Sequence, residues 1–202
     1  MYVTRESRAR RRSVEFDGSP WVGWDRLLSY FDECPTQRHK DVFTVLFETG
    51  GRASEVITLQ PSNFTITGAT IRVDNMMVLK HKRRMQRNFL INRADDLLSG
   101  RLVEIVRSCT TSFILPRHTI GGVATDKHIK RARLYQLVKE ISPSLWPHWF
   151  RSQRASYFVF EKKANPYQLA DWFGWKSMDT PLRYVKQSLE EQKNWLGISG
   201  ES

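Results

Sequence analysis

The chain has 202 residues, 40% apolar and 12% aromatic, enough to bury the core of one domain with at most a short appendage. Its 32 Lys and Arg against 21 Asp and Glu leave a net charge of +11, which favours a polyanionic partner, nucleic acid before membrane. Two cysteines, Cys34 and Cys109, with no CxxC pair and no signal-peptide core, argue against a disulfide scaffold and for a reducing cytoplasm, and no apolar run approaches the roughly 18 residues of a membrane-spanning helix.

Residues 1–19 contain "RESRARRRS", a basic block without apolar period, read as a flexible arm that is solvated or laid along DNA. One domain is predicted over 20–202. It opens with "SPWVGWDRLLSYFDEC", where Ser19 before Pro20 marks a helix start and Trp24, Leu27, Leu28 and Phe31 recur at helical spacing. "TQRHKDVFTVLFETGG" predicts an amphipathic helix ending near Gly50, and "RASEVITL" a short helix directly after it. The period then changes to two, predicting antiparallel strands near 63–67, 69–79 and 87–91, with the basic turn "KHKRRMQR" between the last two. So much positive charge is costly to bury, so that turn faces solvent or a polyanion.

Helical spacing returns in "DDLLSGRLVEIVRS" and, after Gly121-Gly122, in "DKHIKRARLYQLVKEI", with Asp126 as the expected cap. "HWFRSQRASYFVFEKK" and "NPYQLADWFGW" follow, and a tail helix over 186–198 carries Leu189, Trp195, Leu196 and Ile198 as its apolar positions. The fold class is therefore mainly α with a small three-stranded antiparallel sheet (α+β).

Several chemistries lack their residues. There is no GxxxxGK[ST] phosphate loop and no HExxH, and His39, His81, His118 and His128 have no ligand-like spacing. Asp95-Asp96 and Glu190-Glu191 sit beside helix starts, where the helix dipole accounts for acids. A scattered basic set is left. His148 and Arg151 lie three apart on one helix face and can reach a single ligand. Arg52 follows a Gly-terminated helix into a tight turn, and Glu55, one turn on, can hold its guanidinium.

"TGGRASEVITL" resembles the TGxRxxExxxL box of the tyrosine recombinase (phage integrase) family, and "HWFR" its HxxR box. "ADWFGWKSMDTPLRYV" is similar to the final box, a Gly followed by His or Trp and then a Tyr, here Gly174, Trp175 and Tyr184. The boxes stand in family order, and their wording is closest to integrases of archaea and their mobile elements and viruses. Three positions depart from the pattern: Gly51 where a large apolar residue is usual, Asn63 where an acid is common, and Ser152 where a second His often stands.

The resemblance implies the tyrosine recombinase catalytic-domain fold and a metal-independent, cofactor-free reaction. Arg52 and Arg151 clamp the scissile phosphate, which suits two guanidinium forks facing a transition state with negative charge on nonbridging oxygens. Tyr184 attacks to leave a 3′-phosphotyrosyl end, as a covalent catalyst. His148 assists proton transfer or orients the phosphate, Trp175 donates its indole N–H, and Lys82, or alternatively Lys80, protonates the leaving oxygen. Lys80, Lys82, Arg83, Arg84, Arg87, Lys127, Lys130, Arg131 and Arg154 are expected to contact DNA. The partner is double-stranded DNA at a recombination site, with self-association in which the tail docks on a neighbouring subunit or packs on its own domain. Family members usually carry a further N-terminal helical domain, so the chain is expected to be a catalytic fragment or a minimal enzyme. Its setting is the cytoplasm, on DNA. A type IB topoisomerase-like strand cleaver and a non-catalytic DNA-binding protein on the same scaffold are the alternatives.

Overall fold

The computed structural model describes residues 21–78, 85–94 and 97–185. The basic arm, the turn carrying Lys80, Lys82, Arg83 and Arg84, and the tail helix lie outside the described residues.

Helix α1 (Gly23–Asp32) starts at Gly23, past the Ser19-Pro20 signal, and buries Leu27 with Trp24, Leu28 and Phe31 packed beside it. Helix α2 (Gln37–Thr49) is the hub of the molecule and packs against four other helices. Val42, Phe43, Val45, Leu46 and Phe47 are fully buried, each contributing about 1.5–3 kcal/mol relative to exposure. The amphipathic pattern expected of α2 holds only for its first two turns. From Val42 to Thr49 every residue is buried, including Thr44, Glu48 and Thr49, because neighbours surround this half on all sides. Gly50, at φ 52, ends the helix in the left-handed conformation and donates its N–H to the Phe47 carbonyl.

After the single turn α3 (Ala53–Val56), a 3₁₀ turn (Pro61–Asn63) leads into β1 (Phe64–Ile66), β2 (Thr70–Val78) and β3 (Met85–Asn92). Asn63 serves the turn itself, accepting from the Gln60 N–H and donating to the Asp74 carbonyl, work an acid could only half do. The strands form an antiparallel sheet in the order β1-β2-β3, as the period of two predicts. The β2–β3 register shifts between Val73 and Met76, where Asn75 sits at φ 58 with its N–H held by the Asn88 side chain.

Helix α4 (Ser99–Ser108) buries Leu102, Val103, Ile105 and Val106. A two-stranded hairpin, β4 (Pro116–His118) and β5 (Ala124–His128), follows, where helical spacing predicted the opening of a helix. Asp126 is therefore no cap: it lies in β5 and accepts the Ser112 N–H at 2.6 Å. Helix α5 (Arg131–Ile141) begins only after Lys130. Helix α6 (Pro147–Phe160) is buried at every position from 149 to 157. Helix α7 (Pro166–Phe173) opens on an Asn165–Gln168 capping box and closes at Gly174, φ 64. A short helix α8 (Asp179–Tyr184), not expected from the period, carries Tyr184 back against α6. Among the described residues no helix is long and apolar enough to cross a membrane.

Candidate active site

The site forms where α2 and α7 end. Both helices terminate on a left-handed glycine, and both chains then turn sharply, delivering Arg52 and Trp175. A side chain at Gly50 would place Cβ 2.7 Å from a Phe173 ring atom, so the two helix ends approach too closely for anything but glycine. At Gly51 the space that a larger residue would take is filled by Met76 and Val56, which accounts for this departure from the family pattern.

Arg52 caps α3, and Glu55 holds it twice: Oε2 accepts the Arg52 N–H at 2.9 Å and Oε1 accepts from Nη1 at 2.9 Å. Glu55 is 1% exposed and Arg52 21%, so the carboxylate lies under the guanidinium rather than beside it in solvent. Arg151 Nη1 stands 3.9 Å from Glu55 Oε2. Burial pushes the Glu55 carboxyl up, but the charges of Arg151 and Arg52 and the Arg52 N–H outweigh it, and the net shift is down.

Arg151 is fully enclosed. Its Nη1 donates to the Gly50 carbonyl at 2.6 Å and its Nη2 to the Phe173 carbonyl at 3.2 Å, with the guanidinium 4.8 Å from the Phe173 ring and 5.3 Å from that of Trp175. Burial, then the neighbouring Arg52 and Arg87 charges, pull its pKa well below the ordinary arginine value. His148 lies half-buried in the first turn of the same helix.

Trp175 is the middle ring of a stack, with Phe173 on one face at 4.5 Å and Tyr184 on the other at 5.6 Å, nearly parallel to both. Tyr184 is 7% exposed and its hydroxyl donates to Ser152 Oγ at 3.3 Å. Ser152, one of the departures from the family boxes, thus receives the hydroxyl of the expected nucleophile. The fold brings Arg52, Glu55, Arg151, Trp175 and Tyr184 together from three separate boxes, and adds Ser152.

Two expected DNA contacts are corrected. Arg87 and Arg154 are 4% and 1% exposed and offer no surface for the expected contact. Arg154 sits 3.4 Å from Glu48, itself fully buried, and its guanidinium is ringed by Phe47, Tyr157, Phe158 and Trp172. Arg87 donates from Nη2 to the Thr49 carbonyl at 2.7 Å and from Nη1 to the Trp172 carbonyl at 2.8 Å. Burial pulls Arg87 down to about 10, which leaves it charged at neutral pH. A local signal existed for Arg87, since 87, 89 and 91 alternate onto the inward face of β3, whereas α6 is buried all round from 149 to 157 and offers no such period for Arg154.

Lys127, Lys130 and Arg131 are exposed on β5 and at the start of α5. Arg38, in the first turn of α2, donates to the Pro116 carbonyl at 3.1 Å, so this hairpin lies by the far end of α2 from Gly50, roughly 18 Å along the helix axis. Lys80, Lys82, Arg83 and Arg84 fall outside the described residues. Among the described residues no three His, Cys, Asp or Glu side chains converge as metal ligands would.

The chain matches the model of the phage integrase family over residues 24–191. It is 22% identical to tyrosine recombinase XerC of Bifidobacterium longum subsp. infantis over 169 residues, covering 80% of this chain but 47% of that relative, so it spans about half the relative's length. Among solved structures it is similar to the XerH site-specific recombinase bound to difH substrate, with a TM-score of 0.61 at 15% identity over 89% of this chain and 54% of that one. It is likewise similar to the Tn1549 transposon integrase in complex with a circular intermediate DNA, with a TM-score of 0.59 at 16% identity over 90% and 66%. Family model, relative and fold agree with the three boxes: the chain belongs to the phage integrase family, the tyrosine recombinases.

Proposed function

We propose that the chain is the catalytic part of a site-specific DNA recombinase that cleaves and rejoins strands through a 3′-phosphotyrosyl intermediate. The observation that carries this reading is the convergence of Arg52, Arg151 and Glu55 beside the Trp175–Tyr184 stack. Arg52 presents its guanidinium at the surface above a carboxylate that fixes its direction, and Arg151, 1% exposed here and covered by the Trp175 ring, supplies a second cation that reaches the phosphate once Tyr184 and Trp175 shift. Two such cations match the charge that develops on a phosphodiester under attack, and in a water-poor site they act more strongly than in bulk.

In the reaction the Tyr184 oxygen forms a bond to phosphorus as the bond from phosphorus to the 5′ oxygen breaks. The phenolic proton leaves with assistance from His148, and the departing 5′ oxygen takes a proton from Lys82 or, alternatively, Lys80. Rejoining is the reverse, with a 5′ hydroxyl of another strand as the attacking group. Tyr184 must first leave the Ser152 hydroxyl and its place against Trp175, so DNA binding is coupled to a movement of α8. The relatives in complex with DNA support duplex DNA as substrate, and the integrase of a transposon supports a mobile element as the source. Self-association on DNA through the tail completes the proposal.

A suicide duplex carrying the recombination site, incubated in excess EDTA, tests this reading. Wild type is expected to form a covalent protein–DNA adduct and Tyr184→Phe none, with equal duplex affinity for both. Tight binding by wild type without adduct would return the chain to a DNA-binding role, and relaxation of supercoils without joining of two duplexes would favour a topoisomerase-like activity.

A further inference from the structure

Arg87 and Arg151 come from different elements, a strand and a helix, yet their hydrogen bonds form one pattern. Arg87 bridges the carbonyls of Thr49 and Trp172, and Arg151 bridges the carbonyls of Gly50 and Phe173. The two guanidiniums are therefore successive rungs between the last carbonyls of α2 and those of α7. Helix C-termini carry partial negative charge, so a cation between two of them is favourably placed at both ends. The chain leaves the α2 end through Gly51 to Arg52, and the α7 end through Gly174 to Trp175, the ring on which Tyr184 rests. The distance between the phosphate-facing arginine and the nucleophile's support is thus spanned by these two rungs.

Arg151 is one of the family's boxed residues, whereas Arg87 lies in none of the boxes. Its own position is tightly defined. It pairs with Met76 across the β2–β3 register, its Nη2 lies 3.1 Å from the Met76 sulfur, and its guanidinium lies 4.3 Å from the Phe89 ring centre and 5.3 Å from that of Trp172. Trp172 in turn donates its indole N–H to the Leu90 carbonyl at 3.0 Å, so the end of α7 is fastened to β3 at Arg87 and again at Leu90. Being 4% exposed, Arg87 offers no surface to a phosphate.

We infer that Arg87 is a positioning residue for the proposed cleavage: it fixes the spacing between the Arg52 turn and the Trp175–Tyr184 stack without touching DNA. This rests on the recombinase reading. A lysine in its place keeps one charge but cannot serve two carbonyls set apart by a planar fork. An error of about 1 Å in the relative placement of reacting groups costs on the order of a hundredfold in rate.

The test compares wild type, Arg87→Lys and Arg87→Ala for duplex affinity across a salt series and for the single-turnover rate of adduct formation at saturating suicide duplex. Expected are Kd values within about twofold and an unchanged salt slope, with adduct formation slower by roughly a hundredfold. Ethylguanidinium at millimolar concentration is expected to restore rate to Arg87→Ala, because only the fork is missing there. A wild-type rate in Arg87→Lys overturns the inference. So does a salt slope reduced by about one, which would make Arg87 a phosphate contact, and so does failure of Arg87→Lys to fold, judged by circular dichroism, which would confine the residue to stability. Absence of adduct in wild type itself is a different result: it removes the recombinase reading, and the inference falls with it.

Discussion

Two arginine- and lysine-rich regions of this protein use the same charge in opposite ways. At the C-terminal end of α2, Arg87, Arg151 and Arg154 are buried against backbone carbonyls, aromatic rings and the carboxylates of Glu48 and Glu55. Near its N-terminal end, on β5 and the start of α5, Lys127, Lys130 and Arg131 stand in solvent. Cations in the first region have exchanged hydration for fixed partners and hold geometry. Cations in the second keep their hydration and act through the field they create, which ionic strength screens.

The contrast is open to attack at several places. The largest effect is expected at Arg154: Arg154→Met removes the cation 3.4 Å from the buried Glu48 carboxylate and should destabilise the fold by about 3–5 kcal/mol, read as a lowered urea midpoint. Combined with Glu48→Leu it should regain most of that loss, since an apolar pair of similar volume suits a site ringed by four aromatics. A single variant as stable as wild type would mean that Arg154 does not stabilise the buried Glu48.

A smaller effect is expected at Glu55. Its folded pKa lies below the ordinary 4.5, so its stabilisation is fully present above that value and is lost as pH falls through the lower folded value. Glu55→Gln should cost roughly 2–3 kcal/mol near neutral pH and should flatten the acid limb of the stability curve below pH 4.5. Urea melts of both proteins between pH 2 and pH 7 would reveal a persisting acid limb, which would place its origin elsewhere.

The smallest effect on stability is expected at the exposed cations. Lys127→Ala, Lys130→Ala and Arg131→Ala should leave the melting temperature where it is. On the proposed reading, each should weaken duplex binding and lower the salt slope by about one. Arg154→Lys, by contrast, should leave that slope unchanged, and equal slopes across both regions would erase the distinction between them.

Much of the fold was legible along the chain because the signals are local. Gly50 after the α2 period, the alternation through β2 and β3, and the helical run that opens at Asn165 each depend on neighbours a few residues away. Legibility failed where a segment's environment overrode its period. The stretch from Asp126 to His128 reads as the start of a helix but lies in the strand that pairs with Pro116–His118, and the C-terminal half of α2 is enclosed although it reads as amphipathic. Of the site, Arg52, Glu55, Arg151, Trp175 and Tyr184 were nameable from boxes in order. The stacking of Tyr184 on Trp175 and its bond to Ser152 were not.

The amino-acid sequence determined most element types, the glycine stop at Gly50 and the identity of the boxed side chains, since backbone geometry, short-range periodicity and the order of the boxes dictate these. Only the tertiary structure decided which cations face inward. A guanidinium is buried when carbonyls, rings and carboxylates from elsewhere in the chain replace its water: Gly50 lies 101 positions from Arg151, and Trp172 lies 85 from Arg87. No count of charges along the chain distinguishes such an arginine from one that meets DNA.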